Sequence, residues 1–157
     1  MPRERVGDTG REPEPSGCGL DAAAALGVRE LFLAMPRRLE PGTTWSDSAR
    51  YTICRDSIPL GVEAVREFRV TAAERRAGGI VVLLARRSRV TMHGEGRQYG
   101  ETVVIEATGE STAQLAVRLV GAYIESGSGE STLRMTMRGR RRSQELTQHT
   151  RIEILTP

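Results

Sequence analysis

Side chains able to do chemistry are few in this sequence, and they are spread along the chain. Its two histidines are His93 and His149. A zinc site built from protein ligands alone normally takes four of them from Cys, His, Asp and Glu. Both histidines stand at the polar positions of alternating segments, so we interpret them as solvated side chains. We predict no catalytic residue, no metal ligand and no cofactor site.

Nucleophilic and acid–base chemistry have only weak candidates. Cys54 and the distant His93 could serve as nucleophile and base, but no nearby residue supplies an orienting group or an oxyanion hole. The strand-like segments also carry four carboxylates: Asp47, Glu63, Glu67 and Glu106. Glycoside hydrolysis uses a pair of such acids, which makes a hydrolase the alternative function. Cross-strand salt bridges are a commoner use of strand carboxylates, so we predict that the protein is not an enzyme.

The stretch RGRRRS at residues 138–143 looks most like a binding site, since it holds four arginines in five positions. It lies between two alternating segments, and Gly139 can adopt a positive φ at a turn. A nucleic-acid site would place basic residues over one face and interleave aromatic rings. No aromatic residue follows Tyr123. We therefore predict the tip of a β-hairpin, and we keep binding of an anionic polymer as a further alternative.

The two cysteines allow two interpretations. Cys18 precedes a predicted helix and Cys54 ends the first predicted strand, so a helix packed on the sheet would bring them together. A bridge would close a loop of about 35 residues and stabilise the fold by roughly 3 to 4 kcal/mol, and it would require an oxidising compartment. The other interpretation is two separate thiols in a reduced cytoplasm.

Composition indicates one folded domain. The chain has 157 residues, of which 38% are hydrophobic and 4% aromatic, and its net charge is +3. Its basic residues are all arginines, and the acidic residues are spread along the chain. We therefore expect no strong positive electrostatic field that would attract a polyanion. No apolar run approaches the roughly 20 residues of a transmembrane helix. Nucleic acid is not an expected partner, and we expect no transmembrane segment.

The chain divides into a short tail and one domain. Residues 1–17 are rich in charge, proline and glycine, which predicts a disordered tail or linker. Residues 20–35 place apolar side chains at helical spacing and end before Pro36, which predicts one amphipathic helix. We expect residues 18–157 to form a single domain of this helix and an antiparallel sheet. The first 16 residues also lack the apolar core of a signal peptide.

From Trp45 onward the apolar period changes from 3.6 to 2 residues, which is typical of strands. The predicted strands cover residues 45–54, 62–72, 80–93, 101–108, 113–124, 131–137 and 146–154. Gly-bearing turns separate them, including a flexible one at 126–130. The predicted fold is mainly β: a curved antiparallel meander of about seven strands, half-barrel or barrel-like, with the N-terminal helix against its dry face.

The layout of residues 18–157 resembles exported bacterial β-sheet proteins of GC-rich genomes, a family without an assigned activity. The positions that carry the resemblance are Cys18, Pro36, Pro41, Gly42, Trp45, Asp47, Cys54 and Arg55. The resemblance implies a secreted or envelope-associated β protein whose Cys18 and Cys54 are joined, sometimes preceded by a related half. A cytoplasmic location is expected instead if Met1 is the genuine start.

These observations lead to one functional expectation. We expect a non-enzymatic secreted or cell-envelope domain that binds an apolar or amphipathic ligand, or an envelope protein, in the concave face of its sheet. An enzyme would instead gather titratable groups in a cleft. The sequence names neither the ligand nor the oligomeric state.

Overall fold

A computed structural model describes residues 4–5 and 35–155. Its strands in chain order are β1 (Glu4–Arg5), β2 (Thr44–Arg55), β3 (Ile58–Arg76), β4 (Gly79–Gln98), β5 (Glu101–Arg118), β6 (Tyr123–Arg138) and β7 (Ser143–Leu155). No helix occurs in the described residues, and hence none with the length and apolar character needed to cross a membrane. The predicted helix and tail lie outside the described residues, apart from β1 and the non-helical Met35.

The strands form one sheet in the order of the sequence. The six long strands, β2 to β7, each pair antiparallel with their neighbours, while β1 pairs parallel with Trp45 and Ser46 at the outer edge of β2. The predicted mainly β, antiparallel meander is confirmed. The sheet is open, because within the described residues β7 pairs with β6 alone. Closure into a barrel is therefore not observed there.

The division of the central strands was predicted wrongly. Strand β5 runs without a break from Glu101 to Arg118, so the predicted fourth strand and the start of the fifth are one element. The expected turn at residues 126–130 lies inside β6, and the chain turns instead at residues 119–122. Gly109, Gly127 and Gly129 lie inside strands and do not make turns. A Cβ at Gly109 would lie 2.7 Å from Val90 Cγ1, so this glycine provides room for a side chain of the next strand.

Tight turns set the register of the β2–β3 and β4–β5 hairpins. Asp56 and Ser57 join β2 to β3, and both have positive φ, as do Tyr99 and Gly100 between β4 and β5. Two positive φ values in a two-residue loop match the twist of paired strands. The β2–β3 turn is shorter than predicted, so Ile58 and Leu60 belong to β3 and are buried.

One face of the sheet is apolar, as the alternation predicts. It carries two clusters of buried residues. The first consists of Trp45, Phe68, Val70, Val82, Leu84, Ala113, Leu115 and Val117, and the second of Ile58, Leu60, Ile105, Ala107 and Met135. Val82 belongs to this face, while the adjacent Val81 is buried on the opposite side, in agreement with the prediction that β4 begins apolar on both faces. We call the side that carries the two clusters the apolar face.

The opposite side, which we call the polar face, carries charges that alternate between neighbouring strands. Residues of opposite charge stand directly across from each other in four cross-strand pairs: Arg50 with Glu63, Glu67 with Arg87, Arg89 with Glu110, and Glu130 with Arg151. Opposite charges at such positions stabilise strand pairing by a few tenths of a kcal/mol, roughly 0.2 to 1. Their fields also cancel at a distance.

Candidate functional site

The histidines lie on the polar face and on separate strands. His93 Nδ1 is 4.0 Å from Glu106 Oε1, and both side chains are mostly exposed. His149 Nδ1 lies 3.0 Å from Thr132 Oγ1. No group of three His, Cys, Asp or Glu side chains able to hold a metal ion occurs within residues 35–155.

Cys54 and His93 are not brought together. Cys54 pairs with Pro59 on β3, while His93 is on β4 opposite Gly61, so β3 lies between the two side chains. Neighbouring strands are about 4.8 Å apart, which places a strand two positions away beyond proton-transfer distance. The other predicted partner of Cys54, Cys18, lies outside the described residues. The bridge between them therefore stays a prediction.

The predicted carboxylates are divided between the two faces. Asp47 is on the apolar face and binds Arg66, whereas Glu63, Glu67 and Glu106 are on the polar face. Glu63 Oε1 is 3.0 Å from Arg50 Nε. Glu106 Oε2 is 3.5 Å from Arg138 Nη2. The carboxylates are divided between the two faces, so the geometry does not gather a general acid and a nucleophile in one cleft.

The arginine stretch is the tip of a hairpin, which confirms the prediction. Arg138 pairs with Ser143, and the Gly139 amide donates a 2.8 Å hydrogen bond to the Arg142 carbonyl oxygen. Arg140 and Arg142 are exposed. Gly139 does not have the positive φ that was expected, because the four-residue turn closes without it.

The arginines at positions 86, 87 and 89 are divided between the two faces by the strand period. Arg86 is on the apolar face, in line with Phe68 and Ala113, whereas Arg87 and Arg89 point to the polar face. Three arginines in four positions therefore do not form one basic patch.

A row of polar residues crosses the apolar face between the two clusters. Asp47 stands opposite Arg66, and the row continues through Ser88, Ser111, Ser131 and Thr150. Arg66 donates from Nε and Nη2 to the two carboxylate oxygens of Asp47, at 2.8 and 2.6 Å. The Arg66 guanidinium also lies 5.6 Å from the centre of the Phe68 ring. Sequence reasoning had missed this pairing, because the partners are 19 residues apart.

Arg118 joins three elements at the far end of the sheet. It donates to Glu125 Oε1 and to the Ala77 carbonyl oxygen, both at 2.9 Å. The hydrogen bond to Glu125 raises the pKa of Arg118, although burial of the guanidinium opposes the rise. These bonds tie the β3–β4 turn to the start of β6. Their role is therefore structural.

Two shallow depressions are formed by described residues. One, of about 400 Å³, is lined by residues of both faces of β2 to β5, among them Trp45, Phe68 and Arg87. The other, of about 420 Å³, has Leu83 and Leu155 in its lining. Both are open to solvent, and neither is an enclosed cavity that would bury most of a small ligand.

Comparison with known proteins does not identify a family for this chain. No protein-family model, curated protein or solved structure matches this chain. The candidate site is therefore argued from the geometry alone.

The remaining candidate is a strip of apolar side chains along the last strand, which we call the β7 strip: Leu146, Ile152 and the half-buried Ile154. Leu146 is 41% exposed and Ile152 is 53% exposed. Leu146 stands opposite the buried Met135, and Ile152 stands opposite Gly129, so the strip continues the apolar face. The sequence predicted these side chains to be covered. They are exposed because β7 is the last strand and no described element packs over it.

Proposed function

We propose that this chain is a non-enzymatic interaction domain of a secreted or cell-envelope protein, and that a protein partner binds along the β7 strip. The observation that carries the proposal is the exposure of Leu146 and Ile152 on the face that is buried elsewhere. Gln148 and Thr150 lie between these two side chains on the same face, and an accessible edge that mixes apolar and polar side chains is typical of surfaces that contact another protein.

A curved sheet with a concave apolar face is part of this proposal. Glycines on that face follow a diagonal across three strands: Gly94 and Gly96 on β4, Gly109 on β5, and Gly127 and Gly129 on β6. Side chains of the neighbouring strands occupy the space above most of them, such as Ile58 above Gly96. Rows of glycine at strand interiors permit a sheet to bend sharply. This supports the half-barrel form predicted from the sequence.

The observations favour a protein partner over a small apolar or amphipathic ligand. The depressions described above are open and shallow, and the central residues of the apolar face, such as Val70 and Leu84, are fully buried. A small-ligand site in the concavity would require an enclosed accessible volume lined by apolar side chains. Leu146 and Ile152 of the β7 strip are accessible on an open edge of the sheet, which suits another protein surface.

The alternatives have less support. A hydrolase needs two acids in one cleft, while Asp47 is on the opposite face from Glu63 and Glu106. Binding of an anionic polymer needs a uniform basic field, while arginines of the polar face stand opposite glutamates such as Glu110 and Glu130. Nucleic acid therefore remains an unexpected partner.

A photo-reactive amino acid placed in the full chain tests the proposal in the native host. Probes at Leu146 and Ile152 should give one discrete protein adduct. A matched probe at Arg89, an exposed residue on the polar face of the central strand β4, should give none. Equal adducts from all three positions, or none from any, would rule out the β7 strip as a binding surface.

The proposed location outside the cytoplasm has a separate test. It rests on the predicted bridge between Cys18 and Cys54, which requires an oxidising compartment. We expect intact mass spectrometry of protein from the native host to show that reduction increases the mass by two hydrogen atoms, because one disulfide becomes two thiols. Two free thiols in freshly isolated protein would contradict export.

A further inference from the structure

We propose that the partner is a second copy of this chain, and that the two β7 strands pair antiparallel about a two-fold axis at Gln148. This inference rests on the proposed function, because it names the protein that covers the β7 strip. Its basis is the backbone and charge pattern of β7.

The outer edge of β7 has none of the backbone features that usually block strand pairing. Natural sheets protect their edges with proline, bulges, very short strands or charged side chains. Strand β7 is 13 residues long, contains no proline and pairs with β6 without a register shift, and the charges that it carries are of both signs, so a second copy can match them. The opposite edge differs, since β1 occupies part of β2. The β7 edge is thus a ready template for another strand.

The hairpin geometry identifies the backbone groups that the edge presents. The bond from the Gly139 amide to the Arg142 carbonyl makes these two residues a hydrogen-bonded pair. Such pairs alternate along an antiparallel ladder, so the even-numbered residues of β7 bond to β6. The odd-numbered residues, from Glu145 to Glu153, direct their amide and carbonyl groups away from β6.

Charge complementarity selects the register. In a two-fold antiparallel pair, residues at equal distances on either side of the axis stand opposite each other on the same face. An axis at Gln148 places Glu145 opposite the partner's Arg151, and does so twice. An axis one residue further, at His149, would instead place Glu145 opposite the partner's Glu153, where like charges repel.

Arg151 is available for this contact. Arg151 stands opposite Glu130 of β6, but the ion pair described for its guanidinium in the single chain joins Nη2 to Glu153 Oε1 at 3.8 Å, with both side chains largely exposed. Such a pair contributes little. Glu145 stands opposite Thr136 of β6 and has no described ion pair. Each side chain can therefore turn toward the other chain without the loss of a strong contact.

The same register also covers the β7 strip. Leu146 would stand opposite the partner's Thr150, and the partner's Ile152 would be its diagonal neighbour. Diagonal side chains on one face are about 7 to 8 Å apart, within contact of long apolar groups. The two apolar faces would join into one continuous surface. Leu146 and Ile152 would lose most of their exposure.

Cysteine cross-linking in the full chain tests the register. At the axis, Gln148 and its symmetry mate form a non-hydrogen-bonded pair with Cα atoms about 4.5 Å apart, so Gln148→Cys should form a disulfide-linked dimer under mild oxidation. The matched controls are Leu146→Cys and Thr150→Cys, on the same strand and face. Each would lie about 13 Å from its own symmetry mate and should not cross-link alone. A mixture of the two controls should cross-link, because Leu146 faces the partner's Thr150. The unsubstituted chain gives the background from its own cysteines.

Charge reversal tests the pairing without added thiols. Glu145→Arg and Arg151→Glu should each raise the dimer dissociation constant at least tenfold in analytical ultracentrifugation, and the double variant should restore it. A chain that stays monomeric at every concentration, or a dimer indifferent to both reversals, would overturn the inference. If such a monomer still gave a photo-adduct with a different protein from Ile152, only the second copy would be wrong. If it gave no adduct, the proposed function would fail as well.

Discussion

Arg66 binds both carboxylate oxygens of Asp47 within the apolar face, with Nε and Nη2 at 2.8 and 2.6 Å. The side chains of Arg66 and Asp47 are only 14% and 12% exposed. Bidentate geometry and low exposure distinguish this ion pair from the solvated pairs of the polar face. The pair joins β2 to β3 between the two apolar clusters.

Replacement of one partner should leave an uncompensated charge at a nearly buried position. We expect Asp47→Asn to lower the free energy of unfolding by about 3 kcal/mol. The matched control is Glu63→Gln, which breaks the exposed pair with Arg50 on the same two strands and should cost at most about 0.5 kcal/mol. Urea denaturation of both variants measures the difference. Equal losses would show that the apolar face does not exclude water at Asp47.

The diagonal of glycines should be sensitive to a single methyl group. A Cβ at Gly94 would meet the carbonyl oxygen of Pro59 and the side chain of Leu60. We expect Gly94→Ala to destabilise the fold by about 3 kcal/mol or more, since the backbone must shift. Gly61→Ala is the control on the neighbouring strand, where the nearest atom is 3.6 Å away on the polar face. The control should be neutral or slightly stabilising, and two similar urea midpoints would contradict the close approach.

Two substitutions of Trp45, which stacks on Phe68, distinguish the cost of lost packing from the effect of an unsatisfied hydrogen-bond donor. Their ring centres are 5.0 Å apart and the planes are 12° from parallel, while the buried Trp45 Nε1 has no described hydrogen-bond partner. Trp45→Ala should cost about 3 to 5 kcal/mol through the cavity it leaves. Trp45→Phe should cost only about 1 kcal/mol, because it removes an unsatisfied donor and keeps a ring. Circular dichroism is the suitable readout, since Trp45 is the only tryptophan.

The arginines of the hairpin tip should matter little for stability or for polymer binding. We expect the triple variant Arg140→Ala, Arg141→Ala, Arg142→Ala to keep its urea midpoint, because exposed side chains rarely contribute more than about 0.5 kcal/mol each. Retention on heparin at physiological salt should be weak in both proteins. A steep salt dependence that disappears in the variant would establish an anion-binding site.

The alternation of the sequence predicted the strands and their faces, because burial of one face imposes a two-residue period wherever it occurs. Trp45, Phe68 and Leu84 are buried as that period requires. Glycine-rich segments were predicted less well. Local sequence cannot distinguish a glycine that makes a turn from one that admits a neighbouring side chain, as at Gly109 and Gly127.

The candidate site was less predictable than the fold. The exposure of Ile152 depends on β7 being the last strand and on the absence of a described element above it, and neither is encoded near residue 152. The pairing of Arg66 with Asp47 depends on the β2–β3 register, which the short turn at Asp56 and Ser57 sets. Such long-range relations follow from the assembled sheet.

The most direct test of the two-faced sheet is a pair of adjacent substitutions in β5, three and four residues before its last residue. Leu115 is buried in the first cluster and Gln114 is exposed on the polar face. Leu115→Asp should abolish the cooperative urea transition or cost more than about 4 kcal/mol, while Gln114→Asp should change the free energy of unfolding by less than about 0.5 kcal/mol. Equal tolerance of the two aspartates would contradict the assignment of an apolar and a polar face.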